Sequence, residues 1–333
     1  MLSARARAAQ FRPGWDTRAP PVRWLEGASG QERQLIEIVR FDHVSQAVPA
    51  LAPQVDFLER LFGFRLGERF ESEDGYVGVH LAMPGASDVG WELIAPSGVA
   101  SPLHRFLDGP TGPGLHHVTI RVRDTAQAAT ALRVEGAQPW AGGPIEVGEE
   151  PDVIYIHPRG GGHGFLFQLY AGEPWQAAPA VDDLEEHTLG IKALNHLSHA
   201  YSSCDELGDW YERLFGMGTI HRGIGDGTES SFRTRVLEHP TKQIRFEVIQ
   251  PASASSFVQR FLERRGPSMH HVTFEVHDWE RAVGACEFHD IPIFGERSGT
   301  TDGIPWREAF IHPRHTGGVL VQFFWQAEEG AWV

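Results

Sequence analysis

Cysteine, long apolar runs and positive charge are all scarce in this chain, and each shortage excludes a class of protein. Two cysteines among 333 residues, Cys204 and Cys286, cannot build a disulfide framework and favour a reducing, cytoplasmic location. No apolar run reaches the ~18 residues that a membrane span needs. With 29 basic against 44 acidic residues, the net charge of −15 disfavours nucleic acid and anionic membranes as partners.

The first 40 residues differ in composition from the rest of the chain. They combine arginines, prolines and glycines without apolar periodicity, which predicts an N-terminal arm over 1–40. A targeting peptide is the alternative, because Arg5, Arg7 and Arg12 precede the first acidic residue. The apolar segment that is typical of a secretion signal is missing from this region.

An internal repeat organises the remaining chain. Three short sequence motifs each occur twice, 153 to 155 residues apart. They are ERLFG, which begins at Glu59 and Glu212, HHVT, which begins at His116 and His270, and IHPR, which begins at Ile156 and Ile311. This spacing predicts a tandem duplication with halves at 41–172 and 190–326. The prolines and acidic residues of 173–189 predict a linker, and 327–333 form a tail.

Each half divides again into two modules. His43 and His117 stand 74 residues apart in the first half, and His196 and His271 stand 75 apart in the second. Every module begins with an apolar run that contains a His, continues with a helical segment and closes with two or three strand-like runs. Helices are predicted at 53–62, 124–135, 204–215 and 278–288. The order β-α-β-β-β, repeated four times, predicts an α+β fold.

Polar side chains interrupt the apolar strands at matching positions of the two halves. They are His43, Glu92, His117 and Gln168 in the first half, and His196, Glu247, His271 and Gln322 in the second. A carboxylate within an apolar strand is costly to bury unless it is paired or bound to metal. Two imidazoles, a carboxylate and an amide oxygen suit an octahedral divalent ion with two positions left for water or substrate. The sequence therefore predicts a metal site in each half.

Each of these positions also has a purely structural interpretation. A single His or Gln in a strand is more often a hydrogen-bonded core residue than a ligand, and a lone Glu usually faces solvent. The common register across four modules favours the metal site. Adjacent residues of a strand point to opposite faces, so only one His of each His-His pair is expected to be a ligand. The register with His43 and His196 selects His117 and His271.

These motifs resemble the vicinal oxygen chelate superfamily of glyoxalases, bleomycin resistance proteins and extradiol dioxygenases. The resemblance rests on FDHV at 41–44, WELIAP at 91–96, GLHHV at 114–118 and their second-half equivalents. It implies four βαβββ modules that pair into two open-barrel metal-binding domains, with the eight residues above as ligands. Within the superfamily the motifs look most like methylmalonyl-CoA epimerase, and the tandem length looks like 2-epi-5-epi-valiolone epimerases.

The resemblance implies a metal-dependent epimerase, an isomerase that inverts a carbon next to a ketone through a metal-chelated enediolate. Gln168 or Gln322 stands where the related epimerase has a glutamate base, and Gln cannot take a proton. Glu92 and His80 are therefore the candidate catalytic bases of the first half, although His80 equally fits a surface strand residue. Glu247 is the corresponding carboxylate of the second half, where the strand at 231–237 has no equivalent of His80.

The expected cofactor is a divalent metal ion, with Zn, Mn, Co, Ni and Fe all open. The expected partner is a small-molecule ketone, such as the cyclic polyhydroxy ketone 2-epi-5-epi-valiolone, because a chain of charge −15 attracts a CoA ester poorly. The alternatives are methylmalonyl-CoA epimerase, a glyoxalase I-like lyase, an extradiol dioxygenase and a metal-free drug-binding protein. The choices between monomer and homodimer, and between adjacent and swapped modules around each site, stay open.

Overall fold

The computed structural model describes residues 36–85, 88–109, 112–143, 145, 148, 151–174, 185–224 and 232–329. Residues 1–35 of the predicted arm, 175–184 of the predicted linker and 330–333 of the predicted tail lie outside the described residues. Among the helices of the described part, none combines the length and hydropathy of a bilayer span.

The described residues of the first half form one sheet of eight strands with three helices. Its elements are β1 (Ile38–Ala47), α1 (Leu51–Phe62), β2 (Arg65–Ser72), β3 (Tyr76–Ala82), β4 (Gly90–Pro96), α2 (Leu103–Leu107), β5 (Gly114–Val122), α3 (Thr125–Val134), β6 (Pro139–Trp140), β7 (Val153–Ile156) and β8 (Leu166–Tyr170). The strands lie in the order β2-β3-β4-β1-β5-β8-β7-β6.

The second half repeats this arrangement. Its elements are β9 (Ile191–Ala200), α4 (Cys204–Phe215), β10 (Gly218–Ile224), β11 (Phe232–Glu238), β12 (Arg245–Pro251), α5 (Phe257–Arg265), β13 (Ser268–Val276), α6 (Trp279–Phe288), β14 (Ile293–Thr301), β15 (Ile304–Ile311), a 3₁₀ turn (Pro313–His315) and β16 (Val321–Gln326). The strands lie in the order β10-β11-β12-β9-β13-β16-β15-β14.

The first strands of the two modules lie side by side at the centre of each sheet. In the first half β1 pairs with β5 in antiparallel fashion, while each of them pairs in parallel with the last strand of its own module, β4 or β8. The same pairings hold for β9, β13, β12 and β16. The predicted α+β fold of four βαβββ modules in two pairs is therefore confirmed.

The four predicted helices correspond to α1, α3, α4 and α6. Asp124 and Asp278 cap α3 and α6, because their side chains accept hydrogen bonds from the backbone N–H groups of Gln127 and Arg281. The sequence did not predict α2 and α5. Both are held by tertiary packing, since Leu103 of α2 lies against β1 and β4 and Val258 of α5 lies against β9 and β12, and local pattern does not report such contacts.

An aromatic core joins the two halves. Phe274 of β13 packs against Phe62 and Trp91, with ring centroids 5.7 and 6.3 Å apart. Phe167 of β8 packs in the same way against Phe246 of β12 at 6.2 Å. One continuous buried cluster contains these residues from both halves. The duplicated units therefore share a hydrophobic core.

In each half, the turn that precedes the last strand also contacts the other half. Gln46 of β1 donates through Nε2 to the carbonyls of Thr316 and Gly317, at 2.8 and 3.0 Å. His199 of β9, the counterpart of Gln46 in the repeat, donates through its own Nε2 to the carbonyl of His163 at 2.9 Å. The repeat therefore produces a reciprocal pair of contacts between the halves.

Glycine is required where these turns meet the neighbouring half. Gly164 has φ +92°, and a Cβ there would lie 1.7 Å from the carbonyl oxygen of Pro267. Gly318 has φ +94°, and its Cβ would lie 1.8 Å from the carbonyl oxygen of Pro113. Any side chain at either position would collide with backbone, and the left-handed conformation itself favours glycine.

His199 makes the stability of this fold depend on pH. Burial first, and then the charge of His163, lower the pKa of His199 to about 3, so the folded protein excludes a proton that the unfolded chain binds below about pH 6.5. Stability is therefore lost as the pH falls from about 6.5 towards 3. We expect His199→Gln, which copies Gln46, to reduce the slope of unfolding free energy against pH by up to about 1.4 kcal/mol per pH unit.

Urea unfolding at several pH values within this window measures the slope. His157→Gln, at an exposed position, is the matched control and is expected to leave the slope unchanged. An equal slope for His199→Gln and the unaltered chain would contradict the assignment.

Candidate metal centre

The structure brings together three of the predicted ligands in each half. His43, Glu92 and His117 come from β1, β4 and β5, and one ligand atom from each lies within 4.8 Å of the others. His196, Glu247 and His271 form the same arrangement in the second half. The strands that carry the four predicted ligands of each half are adjacent in the sheet, in the order β4-β1-β5-β8 for the first half. Their side chains therefore converge.

Glu92 is the centre of the first cluster. Its two oxygens lie 3.5 Å from Nε2 of His43 and 3.7 Å from Nε2 of His117. Ser45 donates to Oε1 at 2.6 Å, and Nε2 of His80 lies 3.3 Å from Oε2. Burial alone would raise the pKa of Glu92, but His43, His80, His117 and Ser45 together hold it well below its ordinary value. The carboxylate is therefore ionised although it is only 6% exposed.

A second carboxylate orients His43. Oδ1 of Asp42 lies 3.0 Å from Nδ1 of His43, and the hydroxyl of Tyr170 donates to Oδ2 at 2.6 Å. This contact turns Nε2 of His43 towards Glu92, in the manner of the carboxylates that hold metal-binding imidazoles. The second half has an amide instead, with Oδ1 of Asn195 2.8 Å from Nδ1 of His196. Asp42 was not identified from the sequence. The available signal was an acidic residue directly before the histidine of the strand.

The two residues of the His-His pair contact each other. Nδ1 of His116 lies 2.8 Å from Nδ1 of His117, so the alternation expected for adjacent strand residues fails here. The pairing of β1 with β5 skips His116, which is therefore the extra residue of a bulge. Nε2 of His117 is buried without a hydrogen-bond partner among the described residues. Burial lowers the pKa of His117 to about 3, which leaves a neutral imidazole with a lone pair for a cation.

Gln168, the fourth predicted ligand of the first half, lies in β8, next to β5. Its Oε1 accepts from the hydroxyl of Thr119 at 2.8 Å, and its Nε2 donates to the hydroxyl of Tyr155 at 2.9 Å. In the second half Thr273 donates to Oε1 of Gln322, again at 2.8 Å. Hydrogen bonds at both ends therefore hold the amide of Gln168 in place. Sequence analysis identified the glutamines but not the residues that orient them.

The surroundings of the second cluster differ from those of the first. Nε2 of Gln322 donates to the buried carboxylate of Glu308 at 2.9 Å, and Arg297 forms an ion pair with Glu308. Thr234 donates to Oε1 of Glu247 at 2.8 Å. Nearby His196 and His271 hold the pKa of Glu247 below its ordinary value against the effect of burial. The second cluster therefore has its own set of supporting residues.

The donors of the first cluster fit a divalent cation. Ligand atoms about 2.1 Å from one cation and 90–110° apart lie roughly 3.0–3.4 Å from each other, close to the separations of 3.5 and 3.7 Å between Glu92 and its two imidazoles. The same pairs are too long for direct hydrogen bonds of good geometry. A buried imidazole nitrogen without a hydrogen bond, such as Nε2 of His117, is the atom that a cation would satisfy.

Comparison with protein families gives two matches along this chain. The model of the Glyoxalase/Bleomycin resistance protein/Dioxygenase superfamily matches residues 42–155 and 195–310, more than half of the chain. The ethylmalonyl-CoA/methylmalonyl-CoA epimerase of Cereibacter sphaeroides is 28% identical over 124 residues, which are 37% of this chain and 90% of the relative. The mitochondrial methylmalonyl-CoA epimerase of Dictyostelium discoideum is 27% identical over 124 residues, which are 37% of this chain and 74% of the relative.

A solved structure matches nearly the whole molecule. A mutant of 4-hydroxymandelate synthase from Streptomyces coelicolor has a TM-score of 0.66, covering 89% of this chain and 95% of its own at 14% sequence identity. At that identity the likeness shows a common fold and nothing about the reaction.

The difference between Asp42 and Asn195 predicts unequal metal affinity. A carboxylate that accepts from a metal-binding imidazole raises the basicity of the ligand, and its loss typically costs about 10- to 100-fold in affinity. We expect Asp42→Asn to weaken zinc binding at the first cluster by that factor, and Asn195→Asp to strengthen it at the second. Isothermal titration calorimetry on chains whose other cluster carries His43→Ala or His196→Ala measures each centre alone. Equal affinities for Asp42→Asn and its parent would contradict this role of Asp42.

Proposed function

The chain belongs to the Glyoxalase/Bleomycin resistance protein/Dioxygenase superfamily, and from that membership we propose that its first half is a metal-dependent epimerase. It inverts a carbon atom next to a carbonyl group. The observation that carries the proposal is the contact of 3.3 Å between Nε2 of His80 and Oε2 of Glu92, because it puts a proton-transfer group at the edge of the cluster. The similarity to two epimerases, at 28% and 27% identity, supports the reaction class.

His43, Glu92, His117 and Gln168 are the residues that would hold the cation in this proposal. A divalent ion bound there supplies electrostatic stabilisation for the negative charge that develops on two neighbouring substrate oxygens when a proton leaves the adjacent carbon. Asp42 and His116 keep the Nε2 atoms of their two imidazoles directed at the centre.

His80 is the group to which we assign proton removal. The carboxylate of Glu92 accepts from Nε2 of His80, which leaves Nδ1 with the lone pair that takes a proton. The ring of Phe70 packs edge-on against the imidazole, with centroids 4.9 Å apart, and restricts its rotation. Glu92 is the weaker candidate base, because Ser45 and His80 already contact its two oxygens.

The second half has the ligands without this base. In the pairing of β11 with β12, Val236 stands opposite Glu247, the position at which His80 stands opposite Glu92. A valine cannot transfer a proton. We therefore propose that Glu247 is a metal ligand rather than a base, and that the second half binds a cation without catalysing epimerisation.

For the substrate we propose a cyclic polyhydroxy ketone such as 2-epi-5-epi-valiolone. Its neighbouring hydroxyl and carbonyl oxygens supply a chelating pair, and it carries no charge for a chain of −15 to repel. A methylmalonyl-CoA-type ester is the second candidate, which the names of the two epimerase relatives favour. An extradiol dioxygenase is disfavoured because Gln168 would occupy a position that dioxygen or a catechol needs.

Proton NMR in deuterium oxide tests the reaction and separates the two substrates. We expect the metal-loaded chain to exchange and invert the carbon next to the carbonyl of the cyclic ketone, and a chelator to abolish both. His43→Ala should remove the activity, whereas the matched variant His196→Ala should retain it, because only the first half has His80. Activity confined to the CoA ester would identify that ester as the substrate instead of the cyclic ketone. Absence of exchange with both compounds would overturn the proposal that the chain is an epimerase.

His80→Gln tests the base. We expect turnover to fall by about 10²- to 10⁴-fold, the usual contribution of a positioned acid or base, while the first cluster still binds one metal ion in calorimetry. Full activity in this variant would show that another group removes the proton.

A further inference from the structure

We propose that Tyr155 is the second proton-transfer group of the first centre and delivers a proton to the carbon face opposite His80. This inference rests on the epimerase proposed above. Inversion at carbon needs a proton to leave from one face and another to arrive at the opposite face. His80 and Glu92 lie side by side, so they cannot serve both faces of the carbon. The second proton-transfer group must therefore come from another strand of the first half.

The strand register puts Tyr155 in a position equivalent to that of His80. His80 of β3 stands opposite Glu92 of β4, and Tyr155 of β7 stands opposite Gln168 of β8. Each is therefore the neighbour of an outer predicted ligand. The four strands that carry the ligands lie between β3 and β7 in the sheet, so the two residues flank the centre from its two sides.

The side chains on the concave face of the sheet converge, because ligand atoms from β4, β1 and β5 lie within 4.8 Å of one another. In a flat sheet β3 and β7 would be about 24 Å apart, at about 4.8 Å for each of five spacings. Burial, and then the charges of Tyr76, Asp74 and Glu92, raise the pKa of Tyr155 to about 12. The hydroxyl of Tyr155 contacts Gln168 at the β8 end of the predicted ligand set, and His80 contacts Glu92 at the β4 end.

The hydroxyl of Tyr155 has a proton to give. Nε2 of Gln168 can only donate, so the hydroxyl accepts that hydrogen bond of 2.9 Å. Within the described ranges no acceptor contacts the hydroxyl's own proton.

The second half provides an internal comparison. The second half retains both histidines, the glutamate and the glutamine in register. Val236 stands in place of His80. Phe310, which pairs with Gln322, stands in place of Tyr155. Both of these flanking residues have changed while all four predicted ligands are kept, and Nε2 of Gln322 donates to the carboxylate of Glu308 instead of to a tyrosine hydroxyl. The joint change at these two positions supports a shared role for His80 and Tyr155 in the first half.

The proposed step conserves atoms and electrons. Nδ1 of His80 takes the proton, and the electron pair of the broken C–H bond moves to the carbonyl oxygen. The pair then returns as a new C–H bond forms on the other face with the proton of the Tyr155 hydroxyl, which leaves a phenolate. Water removes the proton from His80 and returns one to Tyr155, so no oxidant or other co-reactant is needed.

Tyr155→Phe in deuterium oxide tests this assignment. We expect inversion to fall by at least about 100-fold, while the substrate still exchanges its own hydrogen for deuterium with retained configuration, because His80 can remove a proton and return a deuteron on one face. His80→Gln should instead abolish the exchange of that same epimer. Tyr201→Phe removes a hydroxyl that contacts His163 and Glu206 and is the matched control, with inversion unchanged.

The outcomes separate the proposals. Exchange without inversion in Tyr155→Phe, with zinc affinity of the first centre within about threefold of the parent, supports Tyr155 as the opposing donor. Inversion at the parent rate overturns it and leaves the epimerase intact. If Tyr155→Phe lost both deuterium exchange and zinc affinity, the proposal would be overturned in favour of a role for Tyr155 in orienting Gln168. Absence of exchange in the unaltered chain would overturn the epimerase, and Tyr155 with it.

Discussion

The burial of one carboxylate among imidazoles is the constraint on which the rest of each half depends. Glu92 in β4 and Glu247 in β12 are both ionised inside an apolar sheet, which is tolerable only because neighbouring side chains compensate the charge. Compensation requires the central strands to hold a fixed register, since a shift by one residue would turn the histidines away. The register of the central strand pairs and the charge balance of the polar cluster therefore depend on each other.

Duplication copied this constraint but not everything around it. The ligand register is the same in both halves, whereas the flanking residues have diverged, as Val236 and Phe310 show. Supporting residues have changed too, with Asn195 beside His196 where Asp42 stands beside His43. A cluster needs its charges balanced in order to fold, but its flanks are free to change. This explains how two chemically unequal centres can share one scaffold.

Much of the architecture was predictable because the repeat displays the same pattern four times. The α+β modules, four helices and the convergence of His43, Glu92 and His117 all followed from periodicity and spacing. The bulge at His116 and the short helices α2 and α5 could not be predicted, because they depend on pairing between distant strands. Tyr155 was missed for the same reason, since its relation to Gln168 exists only in the strand register. Assignment of the predicted ligands to a metal stays a prediction.

The reciprocal contacts between the halves bear on how the chain matures during synthesis. Gln46, in the first strand, reaches its backbone partners Thr316 and Gly317, which come 270 and 271 residues later in the sequence. The first half is thus sealed only after the fourth module has been synthesised, although domains usually fold from the N-terminus as they emerge. Until then, Phe62 and Trp91 lack their partner Phe274, and the nascent chain presents an aromatic surface that a chaperone could bind.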